Sequence, residues 1–221
     1  MAQIETELQL LKTEVNNMWT LVTSQMNNAR LAFMNFDKDL AREVASKEKR
    51  VNGTELKIDR DCENIFALFC PVAIDLRFLL AVLKINSNLE RIGDIAEGIA
   101  KYIISAEGPF KEGLLKATHT TDMYEESVKI LQDTQTAFEN EDTILARSVF
   151  KKDEFLDNIN VNANKSLEKY LKDHPEDLDQ ALWILSIIRK LERVGDQSKN
   201  IAEEIIFYLE AKVLKHKSKH S

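Results

Sequence analysis

Glycine and proline are scarce, at six and three in 221 residues. Few tight turns are therefore available, which argues against a turn-rich sandwich or barrel and favours long helices. No stretch alternates apolar and polar residues for long enough to make a convincing strand. Cysteine is nearly absent. Cys62 and Cys70 lie eight apart on one expected helix, about 12 Å along its axis, too far for a disulfide between them. Both read as buried small hydrophobes. No apolar run reaches the roughly 18 residues of a bilayer span. The start "MAQIETELQLLK" carries acids early and lacks the unbroken apolar core of a secretion signal. Unpaired thiols without an export signal point to the cytoplasm, with membrane contact only indirect, through partners. The net charge of -7 speaks against nucleic acid as a partner. The basic end "KVLKHKSKH" reads as a solvated helix end. No Gly-x-Ser-x-Gly, no phosphate-cradling glycine loop and no cysteine with a nearby histidine occurs, so the expectation is a protein that is not an enzyme.

What is present is helical periodicity. Apolar residues make up 44% and charged residues 30%, a balance that suits a packed globular chain and not a disordered one. Ile4, Leu8, Leu11, Val15, Met18, Val22 and Met26 form the first stripe at spacings of three and four. Pro71, Pro109 and Pro175 fall where the periodicity breaks, and each marks a helix start or stop. Helices are predicted near 3–35, 38–69, 73–106, 111–138, 141–172 and 176–214, with a bend around Phe36–Asp39. Trp19 and Trp183 sit on apolar stripes and read as core.

The two halves match. "AFMNFDKDLAREV" (32–44) aligns with "AFENEDTILARSV" (137–149), and "DLRFLLAVLKINSNLERIGD" (75–94) with "DLDQALWILSIIRKLERVGD" (177–196). Each half then holds three long helices with short connections, which pack as antiparallel neighbours. The expected fold is all-α, two tandem three-helix bundles: residues 1–107 and 108–221, divided at "SAEGPFKEG".

Acids recur four apart within this pattern: Glu90 with Asp94, and Glu192 with Asp196. That spacing puts both carboxylates of a pair on one helix face, beside apolar residues that must be buried. Counting outward from Pro71 brings Glu90 and Asp94 level with Glu48 and Asn52. Glu55 and Asp59 continue the same stripe. Counting from Pro175 sets Glu192 and Asp196 opposite Asp157 and Asp153, while Asn160 and Asn164 replace the further acids. Arg189, three residues before Glu192, is placed to pair with it.

Facing carboxylates on the packed side of a bundle cannot stay bare. At an effective dielectric near 20, each close pair costs on the order of 4 kcal/mol at 4 Å. Proton uptake relieves this by raising pKa values. A multivalent cation relieves it further, because carboxylate oxygens converging from two helices suit hard metals. Gly93 and Gly195 weaken their helices by about 1 kcal/mol each relative to alanine. Space for a neighbouring helix or a metal cluster is the expected return.

"KRVNGTELKIDRDC" (49–62), "PVAIDLRFLLAVLKINSNLERIGDIAEGIA" (71–100) and "KLERVGDQSKNIAEEIIFYLE" (190–210) resemble the PhoU family of phosphate-transport regulators. The resemblance covers essentially the whole chain. It implies tandem three-helix bundles whose Glu/Asp-x-x-x-Asp motifs hold multinuclear metal clusters, with iron foremost and manganese, zinc or magnesium as alternatives. Carried over by residue, Glu90, Asp94, Asp153, Asp157, Glu192 and Asp196 match that pattern, and Glu48 with Asn52 and Glu55 with Asp59 compete for the remaining place. It further implies a cytoplasmic homodimer that contacts the phosphate ABC transporter and its two-component sensor kinase, acting as a negative regulator of the phosphate-starvation response. The chain departs from the family at Gln197, where histidine is frequent, at Glu97-Gly98, and at Asn52, which replaces an acid.

The competing expectation is ferritin-like metal storage or a di-metal carboxylate protein. Such sites use Glu-x-x-His. None of His119, His174, His216 or His220 has a glutamate three residues before it.

Overall fold

The computed structural model describes residues 2–214, and all regular structure among them is helical. Helix α1 spans Ala2–Asn35, α2 Lys38–Phe69 and α3 Ala73–Ser105. A loop containing Pro109 leads to α4 (Glu112–Thr118), α5 (Thr120–Glu139), α6 (Thr143–Asp173) and α7 (Leu178–Glu210). Helices α1, α2 and α3 form one three-helix bundle. Helices α5, α6 and α7 form the second, with α4 packed on α6.

The repeat extends to the corners. Asp37 caps α2 by accepting bonds from the Asp39 and Leu40 amides at 3.0 and 2.9 Å. Asp142 caps α6 through the Ile144 and Leu145 amides, both at 2.9 Å. Each aspartate thereby satisfies donors that the first helical turn leaves without partners. The residue before each cap, Phe36 or Glu141, is left-handed, with φ of 50° and 56°. The Asp37 amide donates back to the Ala32 carbonyl, and the Asp142 amide to the Ala137 carbonyl, both at 2.9 Å.

Three departures from the sequence reading concern helix ends. The helix expected over 111–138 breaks at His119, which takes φ 54°. No glycine or proline announces this break. Locally it is braced by the buried Thr118 hydroxyl, which bonds the Leu114 carbonyl at 2.8 Å and meets the Thr120 hydroxyl at 2.7 Å. Pro175 opens a single 3₁₀ turn, Pro175–Asp177, before α7 begins. The last helix stops at Glu210, where Ala211 turns left-handed. Lys212 therefore lies past the helix and pairs with Glu210 at 2.9 Å. His216, His220 and the remainder of the basic end lie outside the described residues.

Helices α3 and α7 form the spine. Both bury two faces, one toward their own bundle and one toward each other. They run antiparallel: Arg77 donates to the Tyr208 carbonyl at 3.3 Å, Lys84 pairs with Glu204 at 3.0 Å, and Asn200 bonds Asn88 at 3.4 Å. Trp19 is fully buried and donates to the Leu131 carbonyl at 3.2 Å, tying α1 to α5. Trp183 is only half-buried against Tyr102 at the seam, so it is edge and not core. Cys62 is buried, which pushes its thiol up to about 12. Cys70 corrects the other cysteine expectation: it is exposed at the left-handed end of α2. No described helix is long and apolar enough to cross a membrane.

Candidate metal centre

In the first bundle, α2 presents Glu48, Asn52, Glu55 and Asp59 along one stripe, and α3 presents Asn86, Glu90 and Asp94 along the facing one. The register is fixed by Asn86, which donates to the Glu55 carbonyl and to the Asp59 carboxylate, each at 2.9 Å. One turn further on, Glu90 lies in the field of Glu55 and Glu48, and beyond it Asp94 lies in the field of Glu48. Both predicted contributors from α2 are therefore on the same stripe, and neither excludes the other.

Burial first, then neighbouring carboxylates, raises the pKa values of three of these acids. Glu55 is raised by desolvation, Asp59 and Asp94. Glu90 is raised by desolvation, Asp94 and Glu55, with Arg91 offsetting part of it. Asp94 sits at the exposed rim, and desolvation, Glu48 and Glu97 still outweigh Lys101 and Lys190. Among the described residues no lysine or arginine forms an ion pair with Glu48, Glu55, Asp59, Glu90 or Asp94. The partners that do exist are amides, from Asn52 to Glu48 and from Asn86 to Asp59. An amide satisfies a lone pair but does not neutralise charge.

The second bundle places Asp153 and Asp157 on α6 against Glu192 and Asp196 on α7. Glu192 is raised by burial, Asp196, Asp157 and Asp153. Here a cation stands among the acids. Lys199 bonds the Asp153 carboxylate at 2.5 Å and Asp196 at 3.1 Å. Burial pulls the Lys199 ammonium down, but its bonds to the two aspartates together hold it above the ordinary lysine range. Asp153 itself is only 2% exposed, and that burial raises its carboxyl despite the lysine. Arg189, expected to pair with Glu192, is exposed and makes no ion pair among the described residues. Being three residues from Glu192, it is near enough in sequence, but its stem leads to solvent.

A PhoU domain profile matches this chain twice, over residues 15–103 and 120–205. The chain belongs to the PhoU family. It is 32% identical over 214 residues to the phosphate-specific transport system accessory protein PhoU of Edwardsiella tarda, covering 97% of this chain and 87% of that one. The protein of that name from Escherichia coli is 30% identical, covering 97% and 88%. Among solved structures, PhoU from Pseudomonas aeruginosa superposes with a TM-score of 0.87 at 32% identity, over 94% of this chain and 99% of that one. The phosphate transport system regulatory protein PhoU from Streptococcus pneumoniae gives 0.86 at 29%, over 96% and 99%.

The mid-helix glycines of the two PhoU repeats make room for side chains of the facing helix. A Cβ on Gly195 would lie 2.5 Å from Asp153 Oδ1 and 2.7 Å from Leu156 Cδ1. On Gly93 it would meet Val51 Cγ1 at 3.0 Å. Gly195 thus lets the Asp153 carboxylate lie directly against α7, whereas Gly93 admits only an apolar neighbour beside the acids.

Whether these donors fit a hard cation is tested by their unsatisfied atoms. Asn52 Oδ1 and Asn86 Oδ1 in the first cluster, and Asp153 Oδ1 in the second, are buried without a hydrogen-bond donor among the described residues. Oxygen lone pairs left in this way beside like charges suit an oxygen-seeking ion. The spread of the acids sets a limit. Among the described residues, the only three-residue histidine or acid group whose ligand atoms all lie within 4.8 Å is His174, Glu176 and Asp177. There the Asp177 carboxylate is already taken by Lys111 at 2.5 Å and the Tyr170 hydroxyl at 2.8 Å. In the two PhoU clusters no three described acids bring their ligand atoms within that distance of one another.

Two residues of the clusters escaped the sequence reading. Asn86 is one turn before Glu90 on the same face, so its spacing was a usable signal. Lys199, three residues after Asp196, was equally visible, but which of several lysines folds back onto the acids depends on the packing of α6 against α7.

Proposed function

We propose that this chain is a cytoplasmic regulatory adaptor of phosphate transport, without catalytic activity, whose carboxylate clusters hold divalent or trivalent metal. The observation that carries the metal reading is the first cluster: Glu55, Glu90 and Asp94 lie with Glu48 between α2 and α3, burial and neighbouring carboxylates raise the proton affinity of those three, and none of the four forms an ion pair with lysine or arginine among the described residues. A hard cation there supplies the missing positive charge and ties α2 to α3. Glu48, Glu55, Glu90 and Asp94 are its ligands, with Asn52 between Glu48 and Glu55 and Asp59 at the far end of the stripe. In the second bundle Asp153, Asp157, Glu192 and Asp196 are the candidate ligands, in competition with Lys199. Iron leads the candidates by kinship, with manganese, zinc and magnesium as hard or borderline alternatives.

The adaptor reading rests on the names of the relatives, accessory and regulatory proteins of phosphate transport. Its partners are the membrane-embedded phosphate transporter and a sensor kinase, its state is a homodimer, and its effect is repression of the starvation response. Affinity capture of the tagged chain from cells grown with ample or limiting phosphate tests this. Recovery of transporter or kinase subunits supports it, and their absence in both conditions overturns it. Metal analysis of tag-free protein tests the ligands. Glu90→Ala with Asp94→Ala empties the first cluster with helicity intact, and unchanged metal content removes the assignment. Oxygen consumption by a ferrous form would instead favour a di-metal carboxylate protein.

A further inference from the structure

The repeated Leu-Glu-Arg-x-Gly-Asp motif delivers two products. Its acids turn into the bundles. Its arginines, Arg91 and Arg193, adjoin those acids in sequence and so point about 100° away around their helices. Because α3 and α7 pack antiparallel, both arginines arrive at the same groove on the seam between the bundles, a cleft of about 430 Å³. That volume is within the range of small-molecule sites.

Lys101 and Lys190 line the groove with them, giving four cations against two acids, Asp94 and Glu97. Glu97 is already engaged by Lys101 at 2.7 Å. Asp94 lines the groove where it meets the exposed rim of the first carboxylate cluster, in the field of Lys101 and Lys190. Lys190 lies with its ammonium over the Tyr102 ring, 5.5 Å from the centroid, and against Gly98, where any Cβ would collide with it. Neither Arg91 nor Arg193 forms an ion pair among the described residues, and both are exposed. On a chain of net charge -7, this is a local excess of positive charge in which the two guanidiniums form no ion pair among the described residues.

We propose that the α3–α7 seam is a binding site for a phosphoryl dianion, gripped by Arg91 and Arg193 from opposite sides with Lys190 beneath. The ligand class follows from the donors. One guanidinium fork saturates the two oxygens of a carboxylate, whereas two forks on opposing helices match the three terminal oxygens and double charge of a phosphoryl group. None of these cations belongs to either carboxylate cluster, and Asp94 is the one residue that the groove shares with the first cluster.

Calorimetric titration of the full chain at low ionic strength, with chelator present so that no metal holds the anion, tests this with orthophosphate, AMP and acetate. Saturable binding of orthophosphate or AMP, near one per chain, is the expected result. The tighter of the two shows whether the free ion or an esterified phosphoryl group is the ligand. Arg91→Gln with Arg193→Gln weakens it by about tenfold for each arginine, with unchanged far-ultraviolet circular dichroism. Each single variant is measured alongside, so a folding defect in the pair leaves the question decided. Absence of binding by both phosphates, equal binding by the variants, or equal affinity for acetate overturns the proposal.

Discussion

Glu97 and Lys199 stand at the same place in the two repeats, three residues after the aspartate of each acidic motif, and they carry opposite charges. In the second bundle the lysine folds back onto Asp153 and Asp196. In the first, Glu97 turns to Lys101 and adds to the negative field on Asp94. The same backbone therefore meets one electrostatic problem in two ways. The second cluster carries its own cation, and the acids of the first form no ion pair with lysine or arginine among the described residues. The repeats share the acidic pairs Glu90 with Asp94 and Glu192 with Asp196, and the position three residues after each aspartate carries opposite charge in the two.

The largest expected effect breaks this difference. Lys199→Met leaves the buried Asp153 carboxylate without a counter-charge, and in chelator the second bundle loses about 3 kcal/mol, at the low end for a broken buried pair because the lysine is partly exposed. Denaturant unfolding measures the loss. Manganese added to this variant is expected to recover the stability and to bind more tightly than to wild type. Glu97→Met is the control, with a change within about 0.5 kcal/mol.

Next in size are the glycines. Gly195→Ala forces a methyl group onto Asp153 and Leu156, which Lys199 and the core hold in place, and destabilises by about 1–3 kcal/mol. At Gly93 the contact with Val51 is milder, and the gain in helix propensity of about 1 kcal/mol brings Gly93→Ala close to neutral. Equal effects in thermal melts would show that the two glycines do the same job.

The smallest effect is on pH dependence. The folded state raises the pKa values of Glu55, Glu90, Asp94, Asp153 and Glu192. It therefore binds more protons than the unfolded chain between the ordinary carboxylate range and those raised values. Stability of the metal-free protein rises as pH falls through that window. Below it the sign reverses. Asp177 and Glu210, held low by Lys111 and by Arg147 respectively, contribute stability that is lost as pH falls through their depressed values. Bound metal removes the upper trend, because protons then compete with the ion. Replacing Glu90 and Asp94 by their amides flattens the metal-free slope more than the same change at Glu192 and Asp196. Melting temperature against pH distinguishes the two.

Much of the fold was open to a reader of the sequence. Helix spans, the Asp37 and Asp142 corners and the duplicated bundles rest on local spacing and capping, which depend on residues within one or two turns. The acidic stripes were legible for the same reason, with repetition separating Glu90 and Asp94 from an ordinary solvated pair. The break at His119 was not. It uses a left-handed histidine braced by buried threonines, where no breaker residue marks the site. Trp183 and Cys70 were misjudged because an apolar stripe says which face is buried and not where the bundle ends.

The sequence by itself determined which residues are helical, that the chain is two copies of one unit, and that acids lie four apart beside each core, because all three follow from short-range period and composition. Only the tertiary structure decided that Lys199 bonds Asp153 and Asp196 of one cluster, while the acids of the other form no ion pair with lysine or arginine among the described residues. The same holds for the meeting of Arg91 and Arg193, which lie 102 residues apart, at a single groove. Both outcomes depend on the register and azimuth of α6 against α7 and of α3 against α7. Those are set by long-range packing of apolar surfaces, and a few ångströms or tens of degrees there decide which charges touch.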